Sequence, residues 1–430
     1  MNNEEIIGVL DSWNFWTKQP DSGVFREKYL DRLEALVETD QIVAIAGVRR
    51  SGKSTLMKQF IKKRVNSGES SESFLYVNLE EPRFVGLVSL EFLQQIYDAY
   101  LEIVKPKGKP FVLLDEVHNA PKWEQFARGL HEKKEANVIV SDSSSKLLGK
   151  ELGTLLTGRW VQLLVYPLSF QEFLEFRQLK IGRRLDLVSQ KTRIKQLLRE
   201  YLEFGGFPLV VLKEEKQELI SRYFDDIITR DIAERHKIRK PQKLKALAKQ
   251  YLTSFACPVS FRKNAETIGL SLDSVERFSE YFEQAFLAFF VPKFSFSLKE
   301  QQVNPKKVYC IDAGLINMAG FRFSENIGRL YENAVFLSLF QKGKEIFYYK
   351  NKNECDFIIK EGKKIVQAIQ VAYQIKENNE RETKGLLEAM NAFRLKKGTI
   401  ITDRMEKEEK TGKKTIQYIP LWKWLLEENK

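Results

Sequence analysis

The sequence predicts an α/β chain that opens on a parallel, doubly wound sheet, and three observations carry the prediction. Short apolar runs alternate with amphipathic helical stretches over the first 165 residues. A glycine-rich loop follows the first of those runs and opens a helix. A later apolar run ends in two adjacent acids. Alternation of this kind makes each helix a crossover between parallel strands and gathers the strand C-termini at one edge, where open α/β sheets bind ligands.

Up to about Thr39 the chain reads as a helical arm that ends in a helix around Tyr29 to Val37. The first strand is Ile42-Val43-Ala44-Ile45-Ala46. Next comes Gly47-Val48-Arg49-Arg50-Ser51-Gly52-Lys53-Ser54-Thr55, with Leu56, Phe60 and Ile61 continuing at helical spacing. Glycines at both ends of this loop let backbone N–H groups turn inward on a polyphosphate, and the helix N-terminus adds partial positive charge. The GxxxxGK[ST] spacing makes Gly47, Arg49, Arg50, Ser51, Gly52, Lys53, Ser54 and Thr55 the candidate nucleotide-binding residues. Lys53 is expected to reach the β- and γ-phosphates of ATP and Ser54 to ligate Mg²⁺.

A second strand, Phe74 to Leu79, and a helix near Leu90 to Val104 lead to Phe111-Val112-Leu113-Leu114, a fully apolar run of the buried-strand type. It delivers Asp115-Glu116 at its C-terminal end. Asp115 is the candidate metal ligand, and Glu116 the candidate base that polarises an attacking water. A helix through Trp123 to Glu132 and a fourth strand, Asn137 to Ser141, complete the alternation. The polar exit Asp142-Ser143-Ser144-Ser145 lies beside the acids, which makes Ser143 the candidate sensor of the γ-phosphate; a serine-rich loop without a role is the plainer alternative.

At 430 residues with 43% hydrophobic content, the chain has room for two to four domains. No apolar run approaches membrane-spanning length, and Met1-Asn2-Asn3-Glu4-Glu5 is acidic rather than basic, so neither a membrane partner nor a secretory signal is expected and the location reads as cytoplasmic. Cys257, Cys310 and Cys355 are scattered, which excludes a disulfide framework or a zinc cluster as the organising feature. The net charge of +12 points to a polyanionic partner, most simply nucleic acid.

Gly47 to Thr55, Tyr76 to Phe84, Leu114-Asp115-Glu116-Val117-His118, Thr157-Gly158-Arg159 and Tyr166 to Phe173 together resemble a prokaryotic AAA-type P-loop ATPase family. In that family the core is followed by a helical lid, a winged helix and a C-terminal domain of unknown function. The resemblance implies an arginine finger at Arg159 and, from the lid motif Gly205-Gly206-Phe207-Pro208, a place for Pro208 near the nucleotide base. It also marks a departure, because relatives usually carry glycine where this chain has Asp142. A finger supplied from a neighbouring subunit makes hydrolysis depend on assembly, so a homo-oligomer is expected. A surface arginine paired with an acid is the bland alternative.

Further on, a helix from Leu244 to Phe255 precedes Arg262 to Val275, where Ala265, Gly269 and Val275 follow the packing grammar of a helix-turn-helix. A helix through Tyr281 to about Phe289 and strand-like runs Phe289 to Phe294 and Lys307 to Ile311 suggest a wing. Arg235, Lys237, Arg239, Lys240, Lys243, Lys245 and Lys249 form a basic run suited to DNA phosphates. The acids in Leu272-Asp273-Ser274-Val275-Glu276-Arg277 make the second helix a poor groove reader.

In the last third, Glu332 on a helix from Ile327 to Leu339, Asp356 on a strand from Glu354 to Ile359, and Gln370-Val371-Ala372 after a strand from Ile365 resemble a restriction-endonuclease-like fold. Ala372 occupies the lysine position, so the cluster reads as catalytically degenerate unless Lys363 or Lys364 substitutes. The expected organisation is a core at 1–165 including the arm, a lid at 166–240, a winged helix at 241–315 and the nuclease-like α/β domain at 316–430. The expected function is an Mg²⁺-dependent ATP-hydrolysing switch or motor coupled to DNA binding. The rivals are an ATP-gated nuclease and a scaffolding ATPase acting on proteins.

Overall fold

The computed structural model describes residues 1–143, 158–320, 326–374 and 381–427, which leaves Ser144, Ser145 and Thr157 outside the described residues. Two compact units divide the chain, Met1–Val165 and Tyr166–Lys430.

The first unit is a five-stranded parallel sheet in the order β2-β3-β4-β1-β5. Its strands are β1 (Ile42–Ala46), β2 (Phe74–Asn78), β3 (Phe111–Asp115), β4 (Asn137–Asp142) and β5 (Trp160–Leu164). The first four match the apolar runs read from the sequence to within a residue or so. Their central residues are apolar on both sides because helices cover both faces. Along β1, Ile42, Ala44 and Ala46 pack with α1 (Asn3–Asp11), α4 (Leu90–Ile103) and α5 (Trp123–Glu132), whereas Val43 and Ile45 pack with α2 (Glu27–Val37) and α3 (Lys53–Asn66). β5 was not anticipated. It is an edge strand, half-buried, with Gln162 at its centre, so it lacks the continuous apolar signature.

In the second unit a capping box of Ser169 and Glu172 starts the helix Phe170–Phe176. Helices Lys191–Phe204, Lys216–Asp226 and Pro241–Thr253 follow. Then β6 (Cys257–Val259), β7 (Ala288–Val291) and β8 (Lys306–Cys310) form an antiparallel sheet in the order β6-β8-β7. Between β6 and β7 lie two helices, Phe261–Ile268 and Leu272–Gln284. Gly269 closes the first of these in left-handed conformation at φ 68°, as its place at the turn requires. The second ends five residues earlier than the sequence suggests, because Phe286 turns left-handed at φ 57° and the chain enters β7. β7 itself stops at Val291, since Pro292 has no N–H to extend a ladder.

The helix Ile327–Gln341 leads into a six-stranded mixed sheet ordered β13-β14-β12-β11-β10-β9. These strands are β9 (Glu345–Lys350), β10 (Glu354–Glu361), β11 (Lys364–Val371), β12 (Lys397–Thr402), β13 (Lys407–Thr411) and β14 (Lys414–Pro420). β12 lies parallel to both neighbours, and the helix Arg381–Ala392 crosses over from β11 to it. Among the described residues no helix is long and apolar enough to cross a membrane.

Candidate nucleotide-binding site

β1 hands the chain to the glycine-rich loop at the C-terminal edge of the sheet, and α3 begins at the loop's lysine. Position 47 has to be glycine: the chain after β5 passes so close that a Cβ there would stand 2.0 Å from the Val165 carbonyl oxygen. Lys53 is buried, and its Nζ donates to the carbonyls of Gly47 at 3.0 Å and Val48 at 3.3 Å, so the ammonium lies along the loop. Ser51 is wholly buried, and its Oγ has no hydrogen-bond partner. An orphaned buried hydroxyl is uncommon in a folded protein, and a phosphate oxygen would satisfy it, so the loop fits a polyphosphate. Arg49 is buried and pairs with Glu80 at 3.6 Å, whereas Arg50 and Thr55 are exposed.

Asp115 ends β3 and is buried. Its Oδ2 accepts from the Tyr76 hydroxyl at 2.6 Å and its Oδ1 accepts from Ser141 Oγ. The Tyr76 hydroxyl also hydrogen-bonds Ser54, which ties the two residues expected to share a metal into one network. Each Asp115 oxygen retains lone-pair capacity, so the donor set fits Mg²⁺. Glu116 follows in left-handed backbone at φ 56°, and its N–H donates to Ser141 Oγ at 3.2 Å. Its Oε2 is buried without a hydrogen-bond partner. Burial raises the Glu116 carboxyl above the ordinary range; the Lys53 charge opposes this, Asp115 and Asp142 add to it, and His118 opposes it. A buried carboxylate with a raised pKa and one unengaged oxygen is suited to accept a proton from water.

Tyr76, Ser141 and His118 were not singled out in the sequence reading. Ser141 carried a signal, being the one hydroxyl closing the apolar run Val138-Ile139-Val140. Tyr76 carried none, because nothing in its strand distinguishes it from a core aromatic. Ser143 is buried just past β4, after Asp142, whose Oδ1 lies 3.1 Å from His118 Nδ1 and accepts when that nitrogen carries the proton. Arg159 lies at the opposite, N-terminal edge of β5, where its carbonyl accepts from Ile42 N and its guanidinium pairs with Glu132 at 2.7 Å. It is not brought together with the loop of its own subunit. Pro208 opens the helix Pro208–Leu212 of the second unit. The glycines before it pack closely: Gly206 N donates to Asp312 Oδ2 at 2.6 Å, and a Cβ on Gly205 would stand 1.9 Å from Asp312 Oδ1.

Residues 39–174 match a family model described as an AAA domain, and residues 195–325 and 327–424 match two domains of unknown function, DUF8612 and DUF4143. The uncharacterized protein MJ1544 of Methanocaldococcus jannaschii is 33% identical over 422 residues, covering 93% of this chain and 92% of its own. The chain belongs to this prokaryotic AAA-type ATPase family. An uncharacterized protein of Haemophilus influenzae is 30% identical over 412 residues, covering 94% of this chain and 99% of its own. Among solved structures, the Walker-type ATPase PABY2304 of Pyrococcus abyssi aligns at 12% identity with a TM-score of 0.46, over 72% of this chain and 99% of that one.

In this AAA-type chain the second carboxylate cluster is organised differently from the first. Glu332 and Asp356 do come together, but neither Lys363 nor Lys364 joins them; both are exposed. Lys307 does so instead. Its buried Nζ lies 3.0 Å from Glu332 Oε1, 2.9 Å from Asp356 Oδ1 and 2.8 Å from Glu354 Oε1. Lys307 and Tyr309 share one face of β8 by the two-residue period of a strand, and the Tyr309 hydroxyl donates to Glu332 Oε1 at 2.6 Å. Asp356 Oδ2 accepts from Val371 N at 3.0 Å, and Gln370 Oε1 accepts from Asp356 N at 3.2 Å. Burial alone would pull the Lys307 ammonium down, but Asp356 and Glu332, then Tyr309 and Glu354, push it above the lysine range. Burial, helped by Asp356, lifts Glu332 to about 7 against the pull of Lys307. The ammonium therefore stands where a divalent cation would have to sit.

The basic run is also less free than its sequence suggests. Lys245 pairs with Asp225 at 2.6 Å, and Lys243 Nζ donates to the Gly269 carbonyl. Lys237, Arg239, Lys240 and Lys249 are exposed. Both lysines are thus engaged within the chain, by partners on other elements that the local sequence conceals.

Proposed function

We propose that this chain is an ATP-binding and hydrolysing switch. The observation that carries the reading is the combination of the glycine-rich loop, with its orphaned Ser51 hydroxyl, after β1 and the buried pair Asp115-Glu116 after β3, at the same C-terminal edge of one parallel sheet. Lys53 and the loop N–H groups bind and orient the phosphates. Ser54 and Asp115 would hold Mg²⁺, whose chemistry when bound is to neutralise charge on the phosphate oxygens. Tyr76 and Ser141 fix the Asp115 carboxylate so that it need not reorganise. Glu116 takes a proton from the attacking water, its raised pKa being matched to that task. Ser143, buried beside the acids, senses the γ-phosphate, and Arg159 acts as a finger on the nucleotide of a neighbouring subunit in a homo-oligomer. Its position away from the loop of its own subunit is compatible with action in trans.

Two variants test the reading. Lys53→Ala should abolish nucleotide affinity, whereas Glu116→Gln should keep it and lose turnover by roughly 10²–10⁴-fold, the range expected of a general base. Turnover by Glu116→Gln at the wild-type rate would refute the role of Glu116.

A second reading assigns DNA as the partner. The two helices with Gly269 at their turn, preceded by β6 and followed by β7 and β8 of one antiparallel sheet, support the layout of a winged helix, and the net charge of +12 favours a polyanion. Exposed Arg239 and Lys240 would then contact phosphates. The ATP-gated nuclease is the weaker rival, because Lys307 takes the metal's position among the carboxylates.

A further inference from the structure

Three donor side chains meet at the ends of β3 and β4 in an arrangement that water activation alone does not require. Glu116 sits at the β3 exit, His118 lies in the short turn Val117–Asn119, and Asp142 ends β4. One oxygen or nitrogen from each lies within 4.8 Å of the other two. His118 Nδ1 is 3.1 Å from Asp142 Oδ1 and 3.5 Å from Glu116 Oε2. Ligands about 2.0–2.2 Å from a tetrahedral zinc stand roughly 3.3–3.6 Å apart, close to both spacings. Glu116 Oε2 is buried and has no hydrogen-bond partner, so one donor atom of the set awaits a ligand. The site is reachable, because His118 is exposed while the two acids are buried. A neutral imidazole with two carboxylates, leaving the fourth position open, is a donor set that suits zinc better than magnesium.

We propose that Glu116, His118 and Asp142 bind one zinc-class divalent cation in the nucleotide-free protein, and that the bound ion withholds Glu116 from the attacking water. Binding is a Lewis acid–base step without redox change: lone pairs of the imidazole and the two carboxylates fill the metal's positions, and any proton they carried leaves to solvent. The regulatory half rests on the reading of Glu116 as base. The binding half does not.

The test uses the full chain stripped with a chelator and titrated calorimetrically with zinc chloride in excess Mg²⁺ and without nucleotide. One zinc per chain is expected. His118→Ala and Asp142→Asn should each weaken it by more than roughly 100-fold, beyond the range for losing a residue that only orients a ligand. Retained ATP affinity in these variants shows that they fold, and Lys53→Ala should still take zinc. Cobalt added in place of zinc should give a visible absorption that His118→Gln removes, which offers a readout independent of calorimetry. In the hydrolysis assay, zinc should lower the wild-type rate and should lower that of His118→Ala less, each measured against its own metal-free rate. Zinc affinity unchanged by His118→Ala and Asp142→Asn, or no zinc uptake by an otherwise ATP-hydrolysing protein, overturns the site. Stoichiometric uptake through His118 in a protein that hydrolyses no ATP supports the site and instead overturns the hydrolase reading.

Discussion

Replacing Lys307 with Met should expose how the second unit is held together. The substitution keeps an apolar stem of similar length and deletes the ammonium, leaving Glu332 and Asp356 buried with like charge and no counter-ion. Removing one partner of a buried ion pair costs about 3–5 kcal/mol. Glu354, with 23% of its side chain exposed, adds little to that. For a unit of this size the loss corresponds to a fall in Tm on the order of 10 °C. The pH dependence gives the sharper signature. Glu332 is lifted to about 7 in the folded chain, above its ordinary value, so the stability it contributes is present in acid and is lost as pH climbs through about 7. Without Lys307 the influence that lowers Glu332 disappears, its pKa rises further, and the loss continues to higher pH. The deficit of the variant should therefore be smallest near pH 5 and largest above pH 7. Urea melts followed by circular dichroism from pH 5 to 8.5 measure it, and adding Glu332→Gln to Lys307→Met should restore part of the stability. A deficit under about 1 kcal/mol that stays flat with pH would refute the idea that this ammonium neutralises the cluster.

Three other outcomes follow from the geometry. Glu116 must be ionised to act as base and its pKa is raised, partly by Asp142, so Asp142→Asn should move the acid limb of the hydrolysis profile to lower pH while His118→Ala moves it higher; kcat/KM from pH 4.5 to 8 decides, and an unmoved limb in both variants would separate Glu116 from the rate. Specific hydrolysis should rise with protein concentration and Arg159→Ala should remove that rise, whereas a rate independent of concentration in both proteins would leave Arg159 as the partner of Glu132 alone. Neutralising Arg239 and Lys240 should flatten the salt dependence of DNA binding by about one log–log unit per lost contact, and neutralising Lys243 and Lys245 should flatten it less because both are engaged within the chain; equal effects would contradict that ranking.

What was legible in the sequence was whatever local spacing encodes. Gly47 to Thr55 is contiguous and conformationally demanding, so its strand–loop–helix context can be read residue by residue. The β1 to β4 runs were equally plain because a sheet covered on both faces admits few polar interruptions. β5 and β13 escaped because edge strands mix polar residues into the pattern. The contacts at the sites are long-range. Tyr76 reaches Asp115 across 39 positions and Lys307 reaches Asp356 across 49, and nothing local marks either one.

The two carboxylate clusters differ in what satisfies them, and that difference bears on where cation chemistry belongs. At Asp115 the hydrogen-bond partners are hydroxyls, from Tyr76 and Ser141, which donate one hydrogen bond each and bring no formal charge of their own. Such a group gains from an approaching cation. At Glu332 and Asp356 the partner is an ammonium that already supplies the positive charge and occupies the space between the oxygens. A divalent ion could enter only by displacing Lys307 into a buried, apolar surrounding, where an unpaired ammonium is costly. The same residue type therefore serves opposite ends in the two units: a carboxylate held by hydroxyls is prepared for a metal, and a carboxylate held by lysine is used to fasten β8 to the helix Ile327–Gln341 and to β10.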